Sequence, residues 1–469
     1  MAELHDLTAM EQLQALRKGE LSPPELARHY LDRIEKLNER VGAFVTVTPD
    51  AALQRAAEVQ QTVSPAATLW GLPSGDKDLW ARAGVRTMYG SRAMAEFVPE
   101  HTDELLQVLD AAGAVSLGKT ATPEFGMPSH SETLVAPPAR NPWDLSLGAG
   151  GSSGGAAAAV AAGLLPLAPG SDGGGSIRIP AAATGLVGLK PSRGRVPSSG
   201  GLGTAGGLVT AGPIARTVAD AALLLDAMAT PSTWSVGPPT WDGGAYLNAA
   251  IRGEGRYSIA VMTSTPWDDF TGITIAPEAQ EALDLAIAEL TALGHGMGEV
   301  AMPDSAQYPD AFVTLWQGGA AAIPADVELL EPLTRWLIEQ GRGLHAGRLA
   351  EAITVLGQFE RAVIERFAPF DAVLTPALAM TPRPNGWYDA HDPQRNFEQQ
   401  VQYTPFTSFV NVSGLPAIAL PVHHTSDGLP MGVQLIGRPG GEHVLLALGA
   451  QLERRLQWQH RHPELWAQA

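Results

Sequence analysis

Residues 148–180 read GAGGSSGG (148–155), AAAAVAAGLLPLAP (156–169) and GSDGGGSIRIP (170–180). Nine glycines crowd into the two flanking loops. A glycine inside a regular element costs about 1 kcal/mol relative to alanine, so this density serves something other than folding propensity. Bare backbone allows close approach to a substrate, and Ser152, Ser153 and Ser176 stand directly among these glycines.

Outward from this tract, residues 70–216 are short apolar strands and alanine-rich helices separated by Gly, Pro and Ser clusters. Residues 105–112 read as a helix followed by a buried strand at 114–117, 155–163 as a small-residue helix, and 218–228 as an apolar helix starting at Thr217. Strands alternating with helices predict an α/β sheet. Residues 231–244 read as a loop and the best boundary, after which strands at 257–262 and 299–302 flank an amphipathic helix at 277–293. Late strands are expected at 372–374, 417–420 and 432–436, continuing the same sheet.

The first sixty residues differ. Thr8-Ala9-Met10-Glu11 and Ser22-Pro23-Pro24-Glu25 are capping boxes, the second with proline at the first helical position, and Gly19 stops the first helix. Leu26, Tyr30, Leu31, Ile34 and Leu37 recur at helical spacing, so residues 1–65 read as a helical arm. The expected organisation is one domain over 1–469, with the arm, a core at 66–230, and a remainder at 231–469 that completes the sheet and supplies pocket segments.

Composition narrows the function. The 469 residues are 45% hydrophobic, with a formal net charge of -18 and a pI near 5.1. Such acidity argues against a nucleic-acid footprint. No cysteine is present, which excludes disulfides, thiolate zinc sites and a cysteine nucleophile. The first twenty residues lack a basic start followed by an apolar run, and no run of 18 apolar residues occurs. A cytoplasmic enzyme without membrane contact is the expectation. No H-E-x-x-H pattern accompanies His423, His424, His460 or His462, so no metal is expected.

Several chemistries compete for the glycine loops. Gly150-Gly151-Ser152-Ser153-Gly154 matches G-x-S-x-G literally, and shifting by one residue matches through Ser153, with His423, His424 and His443 downstream as possible bases. A phosphate-binding loop would need a lysine at the G-x-x-x-x-G-K-[ST] spacing, and neither loop has one. Lysine is scarce: Lys18, Lys36, Lys77, Lys119 and Lys190 are the five, against 26 arginines among the 31 basic residues. Lys77 follows a strand and turn at 71–76, and a lysine and two serines form a proton relay when the middle hydroxyl both donates and accepts. The residues alone leave these readings open.

The chain resembles the amidase signature family. The match runs through Lys77-Asp78, Lys119-Thr120 with Glu124-Phe125, Asn141-Pro142-Trp143, the GGSSGG core, GSDGGGSIRIP, GLVGLKPSRGRVP (185–197) and AGPIARTVAD (211–220), and returns in Asn411, SGLPAIALP (413–421) and GLPMGVQLIG (428–437). That resemblance implies an α/β/α sandwich around a central mixed, mostly parallel sheet, and hydrolysis of amide C–N bonds through an acyl-enzyme without cofactor.

It also implies roles. Ser176 is the expected nucleophile, Ser152, in a cis peptide with Gly151, the relay, and Lys77 the base. A neutral Lys77 at pH 7 to 8 needs a pKa depression of about 3 units, which burial and neutral hydroxyl partners supply. Gly173, Gly174, Gly175 and Ser176 would donate their N–H groups to the oxyanion, each donor worth about 3 kcal/mol. Ser153 would be a second partner for Lys77, and Asp172 and Arg178 loop supports. Many relatives carry Thr or Ile at Gly173, Ser or Thr at Ala156, and Asn-Met or Asn-Leu at Ala121-Thr122; none of these departures removes the triad.

Specificity should come from 125–133, 313–323 and 403–411, whose Phe125, Met127 and Trp316 suggest an apolar pocket for an aryl or alkyl acyl amide, an anilide or a carbamate. Expected partners are the small-molecule amide and water, with a homodimer open as an assembly. The alternative is the glutaminase-type subunit of a tRNA-dependent amidotransferase, and a non-enzymatic scaffold is a third reading.

Overall fold

A computed structural model describes residues 3–197, 205–229 and 245–468. The proposed boundary loop at 231–244 lies outside them.

The amino-terminal segment folds as its caps dictate. Helix α1 (Ala9–Lys18) starts at the Thr8/Glu11 capping box and stops at Gly19, whose φ of 72° suits a residue without Cβ. Helix α2 (Pro23–Val41) repeats the device at Ser22 and Glu25. The segment is not wholly helical, because β1 (Phe44–Val47) precedes α3 (Pro49–Thr62). Strands β2 (Pro73–Lys77) and β3 (Val115–Thr120) are joined through α4 (Glu104–Ala111), and β1 runs antiparallel to β3 in a small sheet of order β1-β3-β2. The arm thus supplies an edge strand to the sheet that carries Lys77.

After a two-stranded ribbon, β4 (Arg140–Asn141) and β5 (Asp144–Gly148), comes α5 (Gly154–Ala161), every residue of it buried. Its Gly and Ala composition permits this: a Cβ on Gly155 would lie 2.2 Å from the backbone nitrogen of Ala121. Strand β6 (Leu167–Asp172), α6 (Arg178–Thr184), β7 (Val187–Lys190), β8 (Thr210–Ala215) and α7 (Val218–Met228) complete this region.

The rest runs α8 (Tyr246–Arg252), β9 (Ser258–Val261), α9 (Pro277–Ala292), β10 (Gly296–Glu299), α10 (Tyr308–Ala320), α11 (Pro332–Arg342), α12 (Ala346–Phe367), β11 (Ala372–Pro376), α13 (Pro393–Tyr403), α14 (Ser408–Val412), β12 (Ala417–His424), β13 (Pro430–Gly437) and α15 (Glu442–Leu456). The strand expected at 299–302 lies earlier, at β10, where Gly296–Glu299 pairs in parallel with β9.

Eight strands form one mixed sheet in the order β10-β9-β11-β13-β12-β7-β8-β6, so strands from both halves of the chain share it. The expectation of a mostly parallel sheet is corrected: within this sheet, among the described residues, β10/β9 and β9/β11 pair in parallel and the other neighbours are antiparallel. The cause is insertion. Hairpin β12–β13 enters between β11 and β7, and β8 returns between β6 and β7, so each crossover lands beside a reversed neighbour. The main apolar core covers this sheet with α5, α7, α9 and α15, while a second core gathers aromatic residues of α10, α12, α13 and α14.

Candidate active site

Two segments, the turn before α5 and the end of β6, converge on the end of β2. Lys77, its last residue, is fully buried, and its Nζ lies within hydrogen-bond distance of three serine hydroxyls, Ser152 Oγ at 2.8 Å, Ser153 Oγ at 2.9 Å and Ser171 Oγ at 2.9 Å. Ser152 and Ser153 precede α5, and Ser171 sits near the end of β6. Lys119 and Lys190 are buried as well, yet their Nζ atoms donate to the carbonyls of Trp80 and Pro191, while Lys18 and Lys36 are exposed. Among the described residues, Lys77 alone of the five lysines meets side-chain hydroxyls.

Burial drives the Lys77 pKa down to about 7 from 10.5, with Asp172 pulling it back upward. A neutral amine has two N–H groups and one lone pair. Ser153 Oγ spends its single hydrogen on the Ser171 carbonyl at 3.2 Å, and so accepts from Lys77. With Ser171 Oγ taking the second N–H, the lone pair is left for the hydroxyl of Ser152. Ser171 was not anticipated from sequence; its place immediately before Asp172, at the mouth of the second glycine loop, was the available signal.

The Gly151–Ser152 peptide is cis, as the resemblance implied. Ser176 lies at the floor of a cleft and is 9% exposed, its carbonyl accepting from Ser153 N at 3.2 Å. No hydrogen bond joins Ser176 Oγ to Ser152 Oγ among the described residues; such contacts commonly tighten only when substrate binds.

The loop between Asp172 and Arg178 is built around that pair. Arg178 Nε and Nη2 each reach an Asp172 carboxylate oxygen at 2.9 Å, with both side chains fully buried. Burial opposes ionisation of Asp172, but the Arg178 guanidinium outweighs it and holds the carboxyl well below the usual range. Arg178 also donates to Gln434 Oε1, Asn411 Oδ1 and the Thr407 carbonyl, tying β13 and α14 to the loop.

Asp172 further accepts from Gly175 N at 2.7 Å and Ile177 N at 3.1 Å. This corrects one assignment: the Gly175 N–H is committed to Asp172 and is not free for an oxyanion. The N–H groups of Gly173, Gly174 and Ser176 have no partner among the described residues.

The cleft above Ser176 is lined by Met127, Pro128 and Ser129, by Trp267, Phe312 and Trp316, and by Phe397, Gln400, Val401, Thr404 and Ser408, none of them charged. Each of the three expected segments contributes. Met127 and Trp316 line it as anticipated; Phe125 does not, since it stacks on Tyr89 with ring centroids 6.2 Å apart. Trp267 and Phe397 were missed because elements distant in sequence bring them in.

The Amidase family profile matches residues 25–446. A Synechocystis sp. protein carrying the name "Putative amidase" is 34% identical over 96% of this chain and 89% of its own. A glutamyl-tRNA(Gln) amidotransferase subunit from Geobacter sp. is also 34% identical, over 97% of this chain and 98% of its own. The structure of 6-aminohexanoate cyclic dimer hydrolase with its substrate superposes with a TM-score of 0.89 at 30% identity, covering 99% of this chain and all of that one. The chain belongs to the amidase family and is a hydrolase acting on amide C–N bonds.

Proposed function

We propose that the protein hydrolyses uncharged aryl or alkyl acyl amides, including anilides and carbamates, through a Ser176–Ser152–Lys77 relay. The observation that carries the mechanism is the Lys77 amine, its pKa lowered to about 7 and hydrogen-bonded to Ser152 Oγ. The Ser176 hydroxyl oxygen bonds to the substrate carbonyl carbon while its proton passes through Ser152 to Lys77. The N–H groups of Gly173, Gly174 and Ser176 take the oxyanion's charge. The proton returns through Ser152 to the leaving nitrogen as the C–N bond breaks. Water then attacks the ester, giving its proton to the same relay, and the C–O bond breaks to release the acid and restore the Ser176 hydroxyl.

The uncharged, aromatic-lined cleft supports neutral substrates. The likeness to an amidotransferase component favours a second reading, glutaminase activity within an assembly, but the described residues lining the cleft offer no charged side chain for the ammonium and carboxylate of glutamine. No described helix is long and apolar enough to cross a membrane.

Release of aniline from an acyl anilide by the purified chain, with an acyl mass increment on Ser176, tests the proposal. Unchanged turnover by Ser176→Ala overturns the mechanism, and turnover of glutamine but not anilides overturns the substrate class.

A further inference from the structure

Residues 129–131 cross beneath the relay loop, and each is fastened by a different neighbour. Ser129 N donates to Gln400 Oε1 of α13 at 2.8 Å, and the Gln400 amide is itself held by Asn396 Oδ1 at 2.7 Å. Ser131 Oγ accepts from Gly154 N at 3.2 Å, at the start of α5. Between them the His130 ring lies flat on Tyr388, with centroids 4.3 Å apart and planes 24° from parallel.

The His130 main chain is the surface on which Gly151 rests. A Cβ on Gly151 would lie 2.4 Å from the His130 carbonyl oxygen and 2.7 Å from its nitrogen, so nothing separates the two backbones. Gly151 is covalently joined to Ser152, whose Oγ meets Lys77 at 2.8 Å. A displacement of His130 is therefore passed through the Gly151–Ser152 backbone to the relay hydroxyl.

The ring meets Tyr388 as a flat, uncharged body. It is buried, and among the described residues neither Nδ1 nor Nε2 has a hydrogen-bond partner. Burial keeps the imidazole neutral, lowering its pKa to about 4. His130 does not line the cleft above Ser176. A direct role in substrate contact or proton transfer is not what its surroundings provide.

We propose that His130 is a positioning residue for Ser152: the stack on Tyr388 fixes the His130 backbone, and that backbone sets where the Gly151–Ser152 peptide holds its hydroxyl against Lys77. The inference rests on Ser152 being the relay, and its test includes a readout independent of turnover.

Titration of the Lys77 amine, followed by NMR on protein with 15Nζ-labelled lysine, is that readout. In His130→Ala the Ser152 loop loosens, water reaches the amine, and the Lys77 pKa rises toward the ordinary lysine value; in His130→Phe, which keeps the stack and discards the orphaned nitrogens, it stays at the wild-type position. On an anilide, His130→Ala lowers kcat on the order of tenfold to a hundredfold with a smaller change in KM, and His130→Phe restores it. A folded His130→Ala with wild-type Lys77 titration and kcat overturns the proposal, as does a folded His130→Phe as impaired as the alanine variant. Should His130→Ala fail to show a melting transition, Tyr388→Leu removes the stack from the other side and faces the same two readouts. If wild type hydrolyses no amide, the proposed function falls, and the Lys77 titration still decides the positioning role.

Discussion

Lys77 Nζ and Ser152 Oγ lie 2.8 Å apart, and both residues are closed to solvent, at 0% and 2% exposure. An ammonium there would keep its charge away from water, with Asp172 the acidic group that acts on it. The amine's low pKa and its hydrogen bond to a serine are thus two results of one burial.

The first prediction concerns pH. The folded amine titrates near 7, so kcat/KM should fall about tenfold per pH unit below that point as Lys77 takes up a proton. Stability follows the same group with a defined sign. Between about 7 and 10.5 the unfolded chain holds a proton that the folded chain does not, so stability rises with pH across this window. Below about 7 both states are protonated and the cost of burying the charge is felt in full. Lys77→Met should therefore abolish turnover and raise Tm more at pH 6 than at pH 10; an equal rise at both would contradict the assignment.

Asp172 and Arg178 give a second prediction. Each is fully buried and bound to the other through two 2.9 Å contacts. Asp172→Asn leaves the guanidinium without its counter-charge, and breaking a buried pair this way costs about 3 to 5 kcal/mol. The double variant Asp172→Asn/Arg178→Met should recover part of that loss. Urea unfolding of the four proteins in a double-mutant cycle measures the coupling, and additive single effects would show that the pair does not hold the loop.

How legible these features were depended on the range of the signal. The capping boxes at Thr8 and Ser22 are complete within four residues, and the structure reproduces both. Lys77, Ser152, Ser153 and Ser176 were marked by the family resemblance, spacing alone leaving other readings open, and the structure places the first three in hydrogen-bond contact and Ser176 beside them. The Gly175 N–H escaped because a glycine's spacing does not say whether its donor turns outward or, as here, back onto a carboxylate three residues earlier. Sheet direction escaped for another reason: β8 inserts between β6 and β7, and the β12–β13 hairpin between β11 and β7, a choice made by tertiary packing. Phe125 shows the same limit, since an apolar residue in a loop fits a pocket wall as well as a stack on Tyr89.

Neighbouring glycines of the second loop should respond differently to the same substitution. Gly175 has a φ of 132°, and a Cβ there would come within 2.5 Å of Thr407 Oγ1 and 2.6 Å of Ile179 Cδ1. Gly175→Ala should destabilise the fold by more than about 1 kcal/mol and abolish turnover as the loop shifts. At Gly174 the nearest atom to an added Cβ is Phe312 Cζ, at 3.9 Å. Gly174→Ala should keep the wild-type Tm and raise KM for bulky acyl groups, because its methyl narrows the cleft. Comparing Tm and KM for the two variants checks this, and parallel losses would show that the loop is uniformly intolerant.

The last prediction concerns the cleft wall. Phe312 and Trp316 stack with centroids 5.6 Å apart and planes within 16°, and both face the space above Ser176. An anilide ring laid against them gains apolar burial and an aromatic contact worth about 0.5 to 1.5 kcal/mol beyond area. Trp316→Ala should therefore raise KM severalfold for an anilide while leaving kcat/KM for a small aliphatic amide near wild type. Charge should be rejected for the complementary reason: none of the described side chains lining the cleft is an acid or a base, so a carboxylate on the acyl group would be desolvated without a partner. Succinanilic acid, the monoanilide of succinate with a free carboxylate, should accordingly be a much poorer substrate than butyranilide, which has the same chain length. Equal kcat/KM for the two would show that the acyl group does not enter this cleft, which the ring of the leaving aniline would then occupy alone.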